Sequence, residues 1–414
     1  MTIPVINAII NFSTGAAFAS PMIIDAGIIG VNVLADSASP AVVVDVSNVV
    51  DTIRTTRGRT AASDVFQTGT MSLRIVDQNG DFNPMNPASP YYELLTPMRK
   101  VQITATYGTT TYPIFAGYIT SYSTTTPKEA TEVVYTTIQA VDGFRLAQNA
   151  QIATVVDATA GQTTGTRVNK LLDAIGWPSG MRDVDTGQTT VQADPGTART
   201  GLGALQTIES TEYGALYMDK LGNFTFQDRT VTTGSVAGAA TVFNDNGTGI
   251  QYNNAIWKLD DTLVFNKASI TRTGGTTQVA SNQTSIDTYF LHSYQETNLL
   301  METDEDALNN ARAYVASRAE TSIRCDAIVL DLYTADYDTG ITAALGLDFF
   351  APITVTTTQP GSSSLTKTLQ IFGIGHDIKP NAWKTTFTTL EPIIDGFIVG
   401  SSQYGILGTN VLSY

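Results

Sequence analysis

Between residues 41 and 147 polar and apolar side chains alternate in stretch after stretch: "AVVVDVSNVV", "DVFQTGTMSLRIVD", "KVQITATYGTTTYPIFAGYITSYST" and "EATEVVYTTIQAVDGF". Val101, Ile103 and Ala105 alternate with Gln102, Thr104 and Thr106, the period-two pattern of a strand with one buried face. Such a period cannot keep one face of a helix apolar, so this part of the chain is expected to form a sheet or barrel, with Val101, Ile103 and Phe115 facing its interior. Abundant Thr, Gly, Ser and Val, with only 15% charged residues, point the same way and make the protein mainly β.

At 414 residues the chain is too long for one core and predicts two to four domains. Its one cysteine, Cys325, excludes an internal disulfide, and the absence of any CxxC or Cys/His cluster excludes a structural zinc. The apolar start is interrupted by Asn7, Asn11 and Asp25 and has no Lys or Arg before Arg54, so neither a signal peptide nor a membrane-spanning segment is read there. A net charge of −15 disfavours tight DNA binding, which rests on Lys and Arg neutralising phosphates. Passage of DNA without specific binding is compatible with it.

Past residue 150 the pattern changes. Val168, Leu171, Leu172 and Ile175 have helical spacing before "GWPSG", a second helix follows in "GLGALQTIES", and "GALYMDKLGNFTFQDR" reads as a hairpin turning at Asp219-Lys220-Leu221-Gly222. Residues 151–233 are therefore expected to form a small α+β domain, and the Gly/Ala/Thr/Asn-rich stretch 234–250 a linker. Strands return after 251, interrupted by helix 303–319, which Thr303 caps and whose positive end Asp304, Glu305 and Asp306 complement. The octapeptides "GIIGVNVL" (27–34) and "GILGTNVL" (405–412) agree at six of eight positions, which suggests that the two ends dock into like sites.

Candidate chemistry is sparse. In "RIVDQNGDFNPMNPASPYY" Asp77, Asn79 and Asp81 have calcium-loop spacing, but Gly80 stands one place before Asp81 instead of one place after it, and the twelfth position is Ala88. Asn79-Gly80 is instead expected to make a type I′ turn, with Pro84, Pro87 and Pro90 holding an extended scaffold. His376 beside Asp377 could be an oriented base, but no nucleophile motif accompanies it; His292 lies far away in sequence. No Walker loop occurs, and no cofactor is expected. "IRTTRGRT" (53–60) is the only basic cluster and reads as a loop: it could meet an acidic partner surface or a phosphate, but three arginines in a loop are most often a solvated connection. A glycan hydrolase using two carboxylates leaves no sequence spacing and stands as the enzymatic rival.

Several stretches in order resemble the minor tail, or tail-hub, proteins at the distal tip of long-tailed bacteriophages. They are the "RGR" loop, the "DQNGDFNPMNPASPYY" loop and "YPIFAGYI", then "TIESTEYGALYMDKLGNFTFQDR", "GIGHDIKPNAWKTTFTTLEP" and "YGILGTNVL". The resemblance implies a β-rich hub with two barrel-like tube domains plus smaller peripheral domains. It divides the chain into an N-terminal arm (1–40), a first barrel-like domain (41–150), the α+β domain, the linker, a second barrel-like domain (251–395) with helix 303–319, and a C-terminal docking segment (396–414). It implies a non-enzymatic homotrimer in the virion, at the distal end of a tail assembled in the host cytoplasm. The implied partners are a distal-tail or tail-tube ring protein, a tape measure protein, tip fibres or receptor-binding proteins, and DNA in transit. Candidate assembly contacts are Gly27, Gly30, Asn32, Arg57, Arg59, Asn79, Gly80, Pro84, Pro87, Gly405, Gly408 and Asn410. The sequence ends on "GILGTNVLSY", so the C-terminal enzymatic extension that some hubs carry is not expected. A hexameric distal-tail ring protein is the nearest structural alternative.

Overall fold

The alternation seen in the sequence becomes, in a computed structural model, the dominant architecture: a mainly β protein with α+β insertions. The structure describes residues 3–18, 42–60, 65–125, 132–230, 239–333, 338–361 and 363–391. A first unit comprises β1 (Val5–Asn11), β2 (Val43–Asp45), β3 (Val50–Gly58), β4 (Gln67–Val76), β5 (Lys100–Tyr107), β6 (Thr110–Thr125) and β7 (Tyr135–Val141). Every second side chain points into one core: Ala8 and Ile10, Met71, Leu73 and Ile75, Val101 and Ile103, Ile138 and Ala140 are all buried, and so is Phe115.

Next comes the small α+β region, with helices Phe144–Asn149, Thr164–Ala174 and Gly201–Glu212 and the short strands β8 (Gln151–Ile152), β9 (Gln162–Thr163), β10 (Arg182–Val184), β11 (Thr190–Val191), β12 (Arg199–Thr200), β13 (Ala215–Met218) and β14 (Phe224–Gln227). Val168, Leu171 and Leu172 are buried, as their spacing requires. The β13–β14 turn is the expected one: the Asp219 carboxylate accepts from Leu221 N (2.8 Å) and Asn223 N (2.7 Å), and Gly222 takes φ +89°.

The rest of the chain supplies β15 (Thr241–Asn244), β16 (Asn254–Lys258), β17 (Lys267–Arg272), β18 (Gln278–Ser281), β19 (Ser293–Leu299), β20 (Arg324–Asp331), β21 (Pro352–Thr358), β22 (Ser364–Lys379) and β23 (Ala382–Leu390). Most of these join the first unit in a single thirteen-stranded sheet. Within it the first unit runs β3-β4-β7-β6-β5-β1 and the second runs β16-β20-β23-β22-β21-β15; with β2 and the separate β17–β19 set aside, both read second, third, sixth, fifth, fourth and first strand in chain order. Even the two longest strands, β6 and β22, match at 16 residues each. The units differ in one sense of pairing: β1 is antiparallel to β5, whereas β15 is parallel to β21.

Four local expectations are corrected. Residues 5–11 are not arm but a strand completing the first unit, where Ala8 and Ile10 fill the core; Lys100 Nζ then holds the carbonyls of Thr14 (3.2 Å) and Ala17 (2.7 Å). Within the stretch read as linker, Thr241–Asn244 is a strand along Ile353–Thr356. The capped helix, Asp304–Arg318, packs on a separate three-stranded sheet, β18-β17-β19, because Ala307, Ala311, Tyr314 and Val315 share a second core with Ala268 and Ile270. "IRTTRGRT" is mostly strand β3, not loop, with Ile53, Thr55 and Arg57 turned inward.

Candidate functional site

The place where the two units meet is the most constrained part of the fold. One edge of β22 is shared by two strands in succession: Ser364–Gln370 pairs with β21, and Gly373–Ile378 pairs antiparallel with β3. Glycines make the crossing possible. Gly58 lies at φ +99°, and a Cβ on it would stand 2.2 Å from the Phe372 carbonyl oxygen.

Below the junction, Arg57 is buried on the inner face of β3 and donates from Nη2 to Asp348 (2.9 Å), its guanidinium lying 4.9 Å from the Phe349 ring centre. Lys220, at the β13–β14 turn, reaches the same carboxylate (3.5 Å) and the Gly346 carbonyl (3.3 Å). Arg59 lies over Phe372 at 4.0 Å, and its amide donates to the Phe372 carbonyl at 2.9 Å. Phe66, Tyr217, Phe349 and Phe350 pack together there, with Tyr217 edge-on to Phe349 at 5.2 Å. One charge cluster and one aromatic cluster thus tie the α+β region to both units. Neither Asp348 nor Lys220 carries a sequence signal, since their partners lie far along the chain.

His376 sits in this junction without the partner its sequence neighbour suggested. Adjacent strand residues face opposite ways, so Asp377 turns out to Arg54 (3.5 Å) while His376 turns in. Its Nδ1 accepts from Trp383 Nε1 (3.2 Å) and lies 3.1 Å from Thr385 Oγ1; burial, reinforced by the Arg57 and Lys220 charges, pushes the imidazole down to about 3. It is a neutral structural acceptor at physiological pH. Cys325 is buried with its thiol pushed up to about 11, chiefly by burial.

The "DQNGDFNPMNPASPYY" loop is a staircase of turns. Amide-to-carbonyl bonds join Gly80 to Asp77, Asn83 to Gly80, Asn86 to Asn83, Ser89 to Asn86 and Tyr92 to Ser89, a step every third residue. Pro84, Pro87 and Pro90 each occupy the second position of a step, where their fixed φ suits a turn. The first residue of the same steps closes it, Asn83 Oδ1 accepting from Met85 N, Asn86 Oδ1 from Ala88 N and Ser89 Oγ from Tyr91 N, each at 3.0 Å. Gly80 (φ +69°) follows the first turn and Asn79 keeps negative φ, so the expected type I′ reversal is instead a type I turn leading into the staircase. Asp77 is its anchor: its buried carboxylate accepts from Phe82 N (3.1 Å) and Thr136 Oγ1 (2.7 Å). These bonds give Asp77 a scaffolding role, and among the described residues no group of three His, Cys, Asp or Glu gathers as a metal site.

Gly27, Gly30, Asn32, Gly405, Gly408 and Asn410, and with them both octapeptides, lie outside the described residues. The remaining candidates fall in two places, Arg57 and Arg59 at the junction and Asn79, Gly80, Pro84 and Pro87 on the staircase. Two deeply buried acids lie beside the junction: burial lifts Asp142 to about 7 against donation from Gly69 N and Phe144 N and the Arg57 charge, and Glu209 to about 8 against donation from Leu216 N and the Arg59 charge.

No protein-family model matches the sequence, and no curated protein matches it. Solved structures do. A 43 kDa tail protein of prophage MuSo2 from Shewanella oneidensis superposes with a TM-score of 0.53 at 12% identity, covering 86% of this chain and 96% of its own. A tail protein from Neisseria meningitidis MC58 gives 0.53 at 11% identity, covering 83% and 96%. The fold is that of phage tail proteins. The resemblance read from the sequence therefore holds at the level of fold, over most of the chain. No helix among the described residues is long and apolar enough to cross a membrane.

Proposed function

We propose that the chain is a structural hub at the distal tip of a phage tail, a homotrimer whose duplicated sheet units form a ring around the DNA path. The observation that carries this reading is the repeated strand order, which supplies two equivalent positions per chain. Three chains then offer six positions, matching a hexameric tail-tube or distal-tail ring above. The tape measure protein would enter from that side, and tip fibres or receptor-binding proteins would attach at the periphery. The net charge of −15 suits a wall that must let DNA pass, because a basic lining would hold its phosphates. Asp142 and Glu209, the two acids that burial perturbs most, are turned onto backbone amides, which supports a scaffold over the glycan hydrolase. Light scattering on the purified protein tests the reading: the mass expected is three times the 44.2 kDa chain. A monomer or dimer at every concentration contradicts it.

A further inference from the structure

We propose that β16 of one chain pairs antiparallel with Ser121–Thr125 of β6 in a second copy, so that each junction between chains repeats the β22–β3 junction within a chain. This names the contact surface of the ring proposed above and rests on that reading.

The argument starts from an asymmetry between the repeated units. β22 uses one edge twice, for β21 and then for β3. Its equivalent β6 uses the corresponding edge once: Thr110–Tyr118 pairs with β5, while Ser121–Thr125 pairs, among the described residues, with β7 alone. The complementary gap is on β16. Its equivalent β3 lies between β22 and β4, whereas β16 pairs, among the described residues, with β20 alone. These two edges, open among the described residues, are the two halves of the junction that is complete inside the chain.

The register follows from the ladders. The β6–β7 ladder shifts at Thr120 and the β22–β23 ladder at Phe372, which equates Ser121 with Gly373, Thr124 with His376 and Thr125 with Asp377. An independent contact agrees with this count: Thr124 Oγ1 meets Thr136 Oγ1 at 2.9 Å, and His376 Nδ1 meets the equivalent Thr385 Oγ1 at 3.1 Å. Carried through β4 and β20 as far as Ile256, where the β16–β20 ladder shifts, the same count equates Arg54 with Ile256. The observed pair Asp377–Arg54 thus translates into Thr125 opposite Ile256 between chains.

Surface properties fit a covered edge. Ile256 on the β16 edge and Leu259 just past its end are apolar side chains left 41% and 64% exposed. Neither edge contains proline, so both can extend a ladder. Because β16 and the vacant part of β6 are different surfaces, the contact is head-to-tail and closes into a ring only when the rotation between units divides a full turn.

Paired cysteines test this in the full chain. Residues directly opposite in an antiparallel ladder lie about 4.5–5.5 Å apart at Cα, within the span of a disulfide. Thr125→Cys and Ile256→Cys combined are expected to convert most of the oxidised protein into covalent multimers on a non-reducing gel, with neither single variant doing so. Arg54→Cys with Asp377→Cys is the internal control and should close within one chain. All four positions are on the outer face, and buried Cys325 is common to every variant. A multimer by light scattering that forms no cross-link, while the control closes, overturns the seam and leaves the ring standing; a protein that remains monomeric and uncross-linked overturns both.

Discussion

Gly58→Ala is the sharpest perturbation of the junction between the two units. The added Cβ would stand 2.2 Å from the Phe372 carbonyl oxygen and 2.6 Å from Gly373 Cα, both backbone atoms of the paired strand. Neither can retreat easily, because the Phe372 carbonyl also accepts the Arg59 amide and Gly373 is held by β23 on its other side. Two costs combine: about 1–2 kcal/mol for an alanine at positive φ and about 1–3 kcal/mol for forcing extra volume into a packed contact, giving roughly 2–5 kcal/mol. Gly108→Ala separates the terms, since Gly108 has φ +60° with nothing within 4 Å of its Cβ position, and only the first cost applies. Calorimetry on both variants is the assay, because a chain with several packed units need not unfold in one step. Gly58→Ala should lower the main transition clearly more than Gly108→Ala; equal losses would show that β3 and β22 are not locked together as described.

The core, the staircase and one buried acid offer further checks. Phe115→Ala should cost about 3–5 kcal/mol and Val101→Ala or Ile103→Ala a lesser but measurable amount, and wild-type melting of all three would mean the buried face is misassigned. Asp77→Ala strands the Phe82 amide and leaves the Thr136 hydroxyl only Thr124 as a partner, and should cost about 1–3 kcal/mol, clearly more than Pro87→Ala; similar melting of the two variants would deny Asp77 its anchoring role. Glu209 ionises near 4.5 when unfolded and about 8 when folded, so its contribution is present below pH 4.5 and is lost as pH rises through 8. Glu209→Gln keeps an acceptor for Leu216 N and cannot ionise, so it should melt like wild type at pH 4 and higher than wild type at pH 9, with Asp142 common to both proteins. A constant difference across that range would refute the assignment.

What could be read from the sequence was local. The alternation of Val101, Ile103 and Ala105, the Asp219–Gly222 turn and the Thr303 cap each depend on residues a few places apart, and each is present in the fold. The first strand escaped notice because "VINAIIN" is apolar on both faces, with Ile6 and Ile9 between the inward Ala8 and Ile10, which blurs the period. Arg57 looked like a solvated charge because its partner Asp348 lies 291 residues away. The three Asn/Ser-Pro-x steps after Asp81 were visible as prolines, but their regular spacing gains meaning only once Asn83, Asn86 and Ser89 are seen to close each turn. The repeated strand order was invisible for a different reason: topology is conserved between the units through pairing partners, and "YPIFAGYI" and "LQIFGIGH" share too little to announce it.

The central claim, that two equivalent units per chain build one ring, is tested most directly by electron cryomicroscopy of the assembled protein viewed down its axis. The account predicts three chains around an open or plugged channel, with six sheet units at equal radius and a continuous ladder across every junction. Units at two different radii, or a closed assembly in which the β6 and β16 edges face solvent, would contradict it.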